Sequence, residues 1–258
     1  MMTPSPAFVE TDPPLTGGCR QMRLAAEPGG PGLTLWINKP ETERPTQGWP
    51  ALILLDGDAY FTAAAEMAQR LSRRTAKTRI EPMLVIGVSI DATDRHGAFG
   101  FSFNVDASGV PPQGRQLLDR LVRDVLPLMA AEGADMARLT LMGHSMSGLF
   151  VLEARAAAAP FARYVAISPS IWANPSVITA QPSTPRLSDD LFVVVGAQEE
   201  TDSLPPAHLA RRMVSNSVSL LERGAVTLNV LTDEDHGSAP YASLPAALRF
   251  ASQQQAAE

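Results

Sequence analysis

Cysteine is nearly absent: Cys19 stands alone among 258 residues, which rules out an internal disulfide and a thiolate metal cage, and its early, loop-like setting makes it a poor nucleophile. Basic runs are missing too. With 21 Lys and Arg against 27 Asp and Glu, a formal net charge of -6 leaves no positive stripe to track phosphates, so nucleic acid is not an expected partner. The opening MMTPSPAFVETDPPLTGG lacks the basic n-region and unbroken apolar h-region of a secretory signal, and offers no membrane anchor. Residues 1–18, rich in Pro and Gly, are therefore expected to form a poorly ordered leader in a cytoplasmic protein that does not engage a membrane. What the chain does have is apolar content, 45%, enough at this length for one domain over residues 19–258 with a sizeable core.

From about residue 20 onward, short β-branched runs alternate with longer helical patterns, the signature of a mostly parallel sheet covered by helices on both faces. RQMRLAA and LTLWINKP, separated by EPGGPG, look antiparallel. ALILLDG and MLVIGVSI are continuous apolar runs, as expected of strands buried on both sides, with a helix through Ala63 to Leu71 between them. Leu117, Leu118, Leu121, Val122, Val125, Leu126 and Met129 recur at helical spacing and predict a long helix over 115–132 that feeds a strand from Leu139 to Met142. A helix over 146–159, the strands YVAISPS, LFVVVG and VTLNVLT, and helices near 206–222 and 241–253 complete an eight-stranded α/β domain. No repeat or interdomain linker interrupts it.

LTLMGHSMSGLF places Ser145 where a buried strand meets an apolar helix, a setting in which a sharp turn can hold a hydroxyl clear of the sheet. Such a turn crowds its own backbone, so small residues are needed two positions to either side, and Gly143 and Ser147 meet that need. The alternative for Ser145 is a plain helix cap. If it is the nucleophile, the helix behind it aims the Met146 N–H at a developing oxyanion.

A serine hydroxyl needs a base, and four histidines are available. His144 sits inside the turn, His208 in a predicted surface helix and His96 in a loop before the nucleophile; His236, in TDEDHGSAP directly after the last strand, is in the right place in chain order. The acid that orients it belongs just past LFVVVG, where Glu199, Glu200 and Asp202 lie, and Glu199 is the choice. For the second oxyanion donor, LLDGDAYF offers the Asp58 N–H, with Gly57 letting the chain bend.

With those residues in hand, the chain from Leu33 onward resembles the esterase group of α/β-hydrolases that includes bacterial siderophore trilactone hydrolases, which open enterobactin-like and salmochelin-like triesters. The marks are LLDGDAYF, RDVLPLM, GHSMSGLF, SPSIWANP, VVVGAQEE and DHGS, in the family's order. The resemblance implies the α/β-hydrolase fold and a serine esterase acting on a small-molecule ester, with a ferric siderophore as one such substrate. Met146 and Ser147 stand where members commonly carry an aromatic and a glycine, and Ala173 where they carry a second tryptophan. Some of these hydrolases work with a Ser–His pair, which leaves the acid open. An arginine lines the substrate site in the family, and Arg95 is its nearest match. Trp172 reads either as core, given its large apolar area, or as a substrate platform.

The loop from Asp91 to Gln113 is expected to wall the pocket. Only about eighteen residues follow Trp172 before the next strand, too few for a large cap domain. The expected chemistry is attack by Ser145, proton transfer by His236 and release of the acyl-enzyme by water, without a resident metal or organic cofactor; an iron-bearing substrate would bring its own metal. Acyl transfer, thioester hydrolysis and ligand binding without turnover are the rival readings.

Overall fold

The computed structural model describes residues 8–11, 19–28, 30–91, 95–101, 113–180, 190–222 and 226–253. Among them, nine strands form one sheet: β1 (Phe8–Thr11), β2 (Arg20–Leu24), β3 (Leu33–Asn38), β4 (Trp49–Leu55), β5 (Leu84–Ile90), β6 (Ala134–His144), β7 (Arg163–Ile167), β8 (Leu191–Gly196) and β9 (Val226–Leu231). Their spatial order is β1-β2-β3-β5-β4-β6-β7-β8-β9. The first three ladder antiparallel onto β5, and the rest run parallel. The eight strands expected from the sequence are β2 to β9. The ninth, β1, lies within the stretch expected as a leader; four residues are too few to show a period, and its ladder comes from Arg20–Leu24.

Helices cover both faces. On one side lie α1 (Gly57–Ser72), the single turn α2 (Thr75–Thr78) and, at the end of the chain, α9 (Ala239–Ser252); α3 (Arg95–Phe99) is a short helix just after β5. On the other side α4 (Gly114–Arg120) passes through a π-helical turn, Leu121–Val125, into α5 (Leu126–Glu132), followed by α6 (Met146–Ala156). The helix expected near 206–222 is two pieces, α7 (Pro206–Leu209) and α8 (Met213–Leu221), because Arg212 adopts a left-handed φ of 50° that breaks the hydrogen-bond run. β4 shows why its sequence is apolar throughout: Leu52 and Leu54 pack with Phe61 and Leu248 on one face, while Ala51, Ile53 and Leu55 pack with Leu117 and Leu149 on the other.

β4 lies between β5 and β6, so the chain winds outward in both directions from it. Ligand sites in such sheets open at the carboxyl ends of the strands flanking this reversal, which here are the ends of β4 and β6.

The long helix is pinned to the β2–β3 corner by a buried ion pair. Arg120, 1% exposed, bonds Asp124 at 2.7 Å and the Ala25 carbonyl at 3.1 Å, and Arg123 joins Asp124 at 2.8 Å. Burial pushes the Asp124 carboxyl up, but the hydrogen bonds and charges of Arg123 and Arg120 outweigh it and hold the group below its ordinary value. Asp124→Asn leaves the buried Arg120 guanidinium with only the more distant Glu27 carboxylate, 3.8 Å away, and is expected to cost about 3 kcal/mol, measured as a lower denaturant midpoint. A depressed folded-state pKa means the stabilisation is complete above the unfolded value and is lost as pH falls through the folded one. The gap between wild type and variant should therefore narrow below about pH 4.

Candidate active site

Ser145 joins β6 to α6 with φ 60° and ψ -115°, a conformation that costs a non-glycine residue about 1–3 kcal/mol and persists only when its surroundings enforce it. They do: its N–H donates to the Ile167 carbonyl and its own carbonyl accepts from Leu149 and Ser170, each at 3.0 Å. A Cβ on Gly143 would lie 2.4 Å from the Ser147 carbonyl oxygen, so no larger residue fits. Ser147 does more than stay small. Its hydroxyl accepts from the His144 N–H at 2.8 Å and donates to Asp56 Oδ2 at 2.6 Å, tying the Ser145 turn to the end of β4.

The imidazole of His236 reaches this turn from the loop after β9, with Nε2 3.0 Å from Ser145 Oγ. Its other nitrogen, Nδ1, lies 2.6 Å from Glu199 Oε2. Glu199, 6% exposed, follows β8 in the 3-10 turn Ala197–Glu200, and its Oε1 accepts from the Ser168 hydroxyl at 2.5 Å and the Gly196 N–H at 2.8 Å. Of the three acids considered after β8, only Glu199 meets the imidazole. Glu200 instead accepts from the Ser215 N–H at the start of α8, 2.8 Å away.

The histidine loop is itself well held. A Cβ on Gly196 would fall 2.3 Å from the Glu234 carbonyl oxygen, so the loop packs directly on the end of β8. Asp235 closes the turn by accepting from Gly237 N–H at 2.8 Å and Ser238 N–H at 2.9 Å, and these bonds hold its carboxyl below the ordinary range.

The other sequence expectations fare unevenly. Met146 begins α6, so its N–H has no acceptor within that helix and lies next to Ser145. The Asp58 N–H donates to the Ser89 hydroxyl at 2.9 Å and is not free to receive an oxyanion as it stands. The bend before it is made by Asp56, with φ 55°, and not by Gly57. Gly57 is needed for a different reason: a Cβ there would lie 2.7 Å from the Gly87–Val88 backbone. Trp172 is 37% exposed, which goes against the core alternative of its two readings, with the Arg211 guanidinium 5.2 Å from its ring. It borders a cavity of about 230 Å³ beside His236, which Leu204, His208, Arg211 and Met213 also line. Arg95 opens α3, and its side chain lies outside the described residues, as does much of the loop expected to wall the pocket.

Ser168 and Ser170 escaped the sequence reading. Ser170 Oγ lies 3.3 Å from Ser145 Oγ, and Ser168 and Ser170 belong to SPSIW directly after β7, one strand over from Ser145. Position at the carboxyl end of a central strand was the available signal.

A strand–serine–helix turn of this shape, at the reversal point of a mostly parallel sheet, places the chain among the α/β-hydrolases. Residues 32–226 match the family described as Putative esterase, and the chain belongs to that family of enzymes acting on ester bonds. It is 27% identical over 213 residues to the ferri-bacillibactin esterase BesA of Bacillus subtilis, a match covering 74% of this chain and 72% of that protein. It is 25% identical over 218 residues to an apo-salmochelin esterase of Escherichia coli O6:H1, covering 78% of this chain but 64% of the other. Among solved structures, the BES protein from Bacillus cereus superposes with a TM-score of 0.77 at 25% identity, over 96% of this chain and all of that one. No helix among the described residues is long and apolar enough to cross a membrane.

Proposed function

We propose that this esterase opens a siderophore trilactone through an acyl-enzyme on Ser145, with His236 as general base and Glu199 as its orienting acid. The observation that carries the reading is the line of polar atoms from Ser145 Oγ through His236 to Glu199, at 3.0 and 2.6 Å. The Ser145 oxygen attacks the ester carbonyl carbon as its proton passes to His236 Nε2, and the Met146 N–H receives the negative charge on the carbonyl oxygen. Collapse breaks the acyl C–O bond, and the departing alkoxide takes the proton from His236. Water then repeats the sequence in reverse, its proton going to His236 and then to Ser145 as the acid is released. Asp58 serves as the second donor once a substrate oxygen displaces the Ser89 hydroxyl.

The names of the two curated relatives support a siderophore as substrate, and Trp172 with the adjoining cavity offers a contact surface for a bulky ester. Arg95, at the start of α3, is the proposed charged contact, and the cytoplasm the proposed compartment. The test is a panel of p-nitrophenyl acyl esters and catecholate trilactones, free and iron-loaded, with products read by liquid chromatography. Trilactones should be preferred by at least about tenfold in kcat/KM, which is about 1.4 kcal/mol of transition-state discrimination. Equal rates across the panel would remove the siderophore and leave the esterase.

A further inference from the structure

The histidine next to the nucleophile in sequence, His144, is not idle. Its Nε2 lies 2.9 Å from the backbone carbonyl oxygen of His236, and its Nδ1 lies 2.9 Å from the Tyr60 hydroxyl. Chemistry fixes the direction of the first bond. A carbonyl oxygen can only accept, so Nε2 carries the proton; in the neutral ring Nδ1 is then the acceptor, and Tyr60 donates to it. The result is a chain from Tyr60 on α1, through the turn residue His144, to the main chain of the proposed general base. The two imidazoles are also in ring contact, 4.6 Å between centroids, and Tyr60 is braced edge-on by Tyr241 of α9 at 5.4 Å.

We infer that His144 is a positioning residue for the hydrolysis: through its Nε2–H bond to the His236 carbonyl it sets where the His236 ring stands relative to Ser145, with Tyr60 holding the His144 ring in the required tautomer. The inference rests on the acyl-enzyme reading above and goes beyond it. Glu199 grips Nδ1 of the His236 ring, and Gly196 and Asp235 hold the loop on either side. His144 adds a bond at the His236 carbonyl itself, and it does so from the residue covalently bonded to Ser145. The bond thereby ties the His236 main chain directly to the turn that carries Ser145, across which the Nε2–Oγ separation is 3.0 Å. Misplacement of a reacting group by about 1 Å can cost about 10²-fold in rate, so the bond is in the range where its loss should be visible in kcat.

The experiment compares the wild-type chain with His144→Phe, His144→Gln, Tyr60→Phe and Ser145→Ala, measuring kcat, KM and melting temperature on one p-nitrophenyl ester. Phe keeps a ring but loses both bonds, whereas the Gln side-chain amide places an N–H close to the position of Nε2. His144→Phe should lower kcat by about 10²-fold with KM little changed, and His144→Gln should recover most of that loss. Tyr60→Phe should lower kcat several-fold, and adding it to His144→Phe should cost nothing more. A folded His144→Phe that keeps kcat within about threefold, or a Gln variant no better than Phe, overturns the inference. If His144→Phe does not fold, the other two decide: unchanged kcat in Tyr60→Phe overturns it, and a drop there with activity retained in His144→Gln supports it. Ser145→Ala separates the two levels. A fully active Ser145→Ala defeats the acyl-enzyme reading, whereas an inactive one beside an unimpaired His144→Phe defeats only the positioning role.

Discussion

Ser145→Ala and His236→Ala are each expected to lower kcat for ester hydrolysis by about 10⁴-fold or more, and the double variant should be hardly worse than either alone. The non-additivity is the informative part. Neither group does its chemistry without the other: the hydroxyl is a weak nucleophile until Nε2, 3.0 Å away, takes its proton, and the imidazole has no other proton to take at that point. The residual rate should reflect what remains in place, namely the Met146 N–H and the binding surface. Alanine at 145 keeps the same strained backbone as serine, so the fold should survive and melting temperatures should differ little. A fluorophosphonate probe should modify wild type at Ser145 and leave both variants unmodified, checked by peptide mass. Rates within tenfold of wild type in either variant would contradict the assignment.

Glu199→Gln should bring the second-largest loss, about 10²- to 10⁴-fold in kcat, and should be more damaging than Glu199→Ala. The carboxylate has two jobs in two directions: Oε1 accepts from Ser168 and Gly196, and Oε2 faces His236 Nδ1. Glutamine can keep its oxygen toward Ser168 and Gly196 only by pointing its NH₂ at His236. Nδ1 must then become an acceptor, so the proton moves to Nε2, and the ring can no longer receive the serine proton. Alanine removes the oxygen without imposing the wrong tautomer. A loss below tenfold in both variants would mean that the Ser145–His236 pair suffices without an acid.

How much of this was readable in the chain depends on whether the cause was local. The apolar runs of β4, β5 and β8 are visible because strands buried on both faces leave no room for polar residues, and the nucleophile turn is visible because Gly143 has no space for a side chain. Chain order selects His236 for the same reason, since the sheet places the ends of β6, β8 and β9 along one rim. Choosing among Glu199, Glu200 and Asp202 is a question of side-chain direction in and just after one 3-10 turn, which periodicity does not resolve. Ser147 looked like a mild departure from glycine, but its partner Asp56 lies 91 positions away and only the fold brings them together. His144 carries no local signal for the same reason: its partners Tyr60 and the His236 carbonyl are 84 and 92 positions distant. Trp172 shows the limit of composition, because a large apolar side chain at the mouth of a site is worth exposing.

The three polar groups of the site leave the ribosome far apart in time, since 91 residues separate Ser145 from His236 and 37 separate Glu199 from it. β9, an edge strand, must dock on β8 before the imidazole can arrive. On the proposed mechanism, hydrolysis therefore has to wait until β9 stands in register on β8.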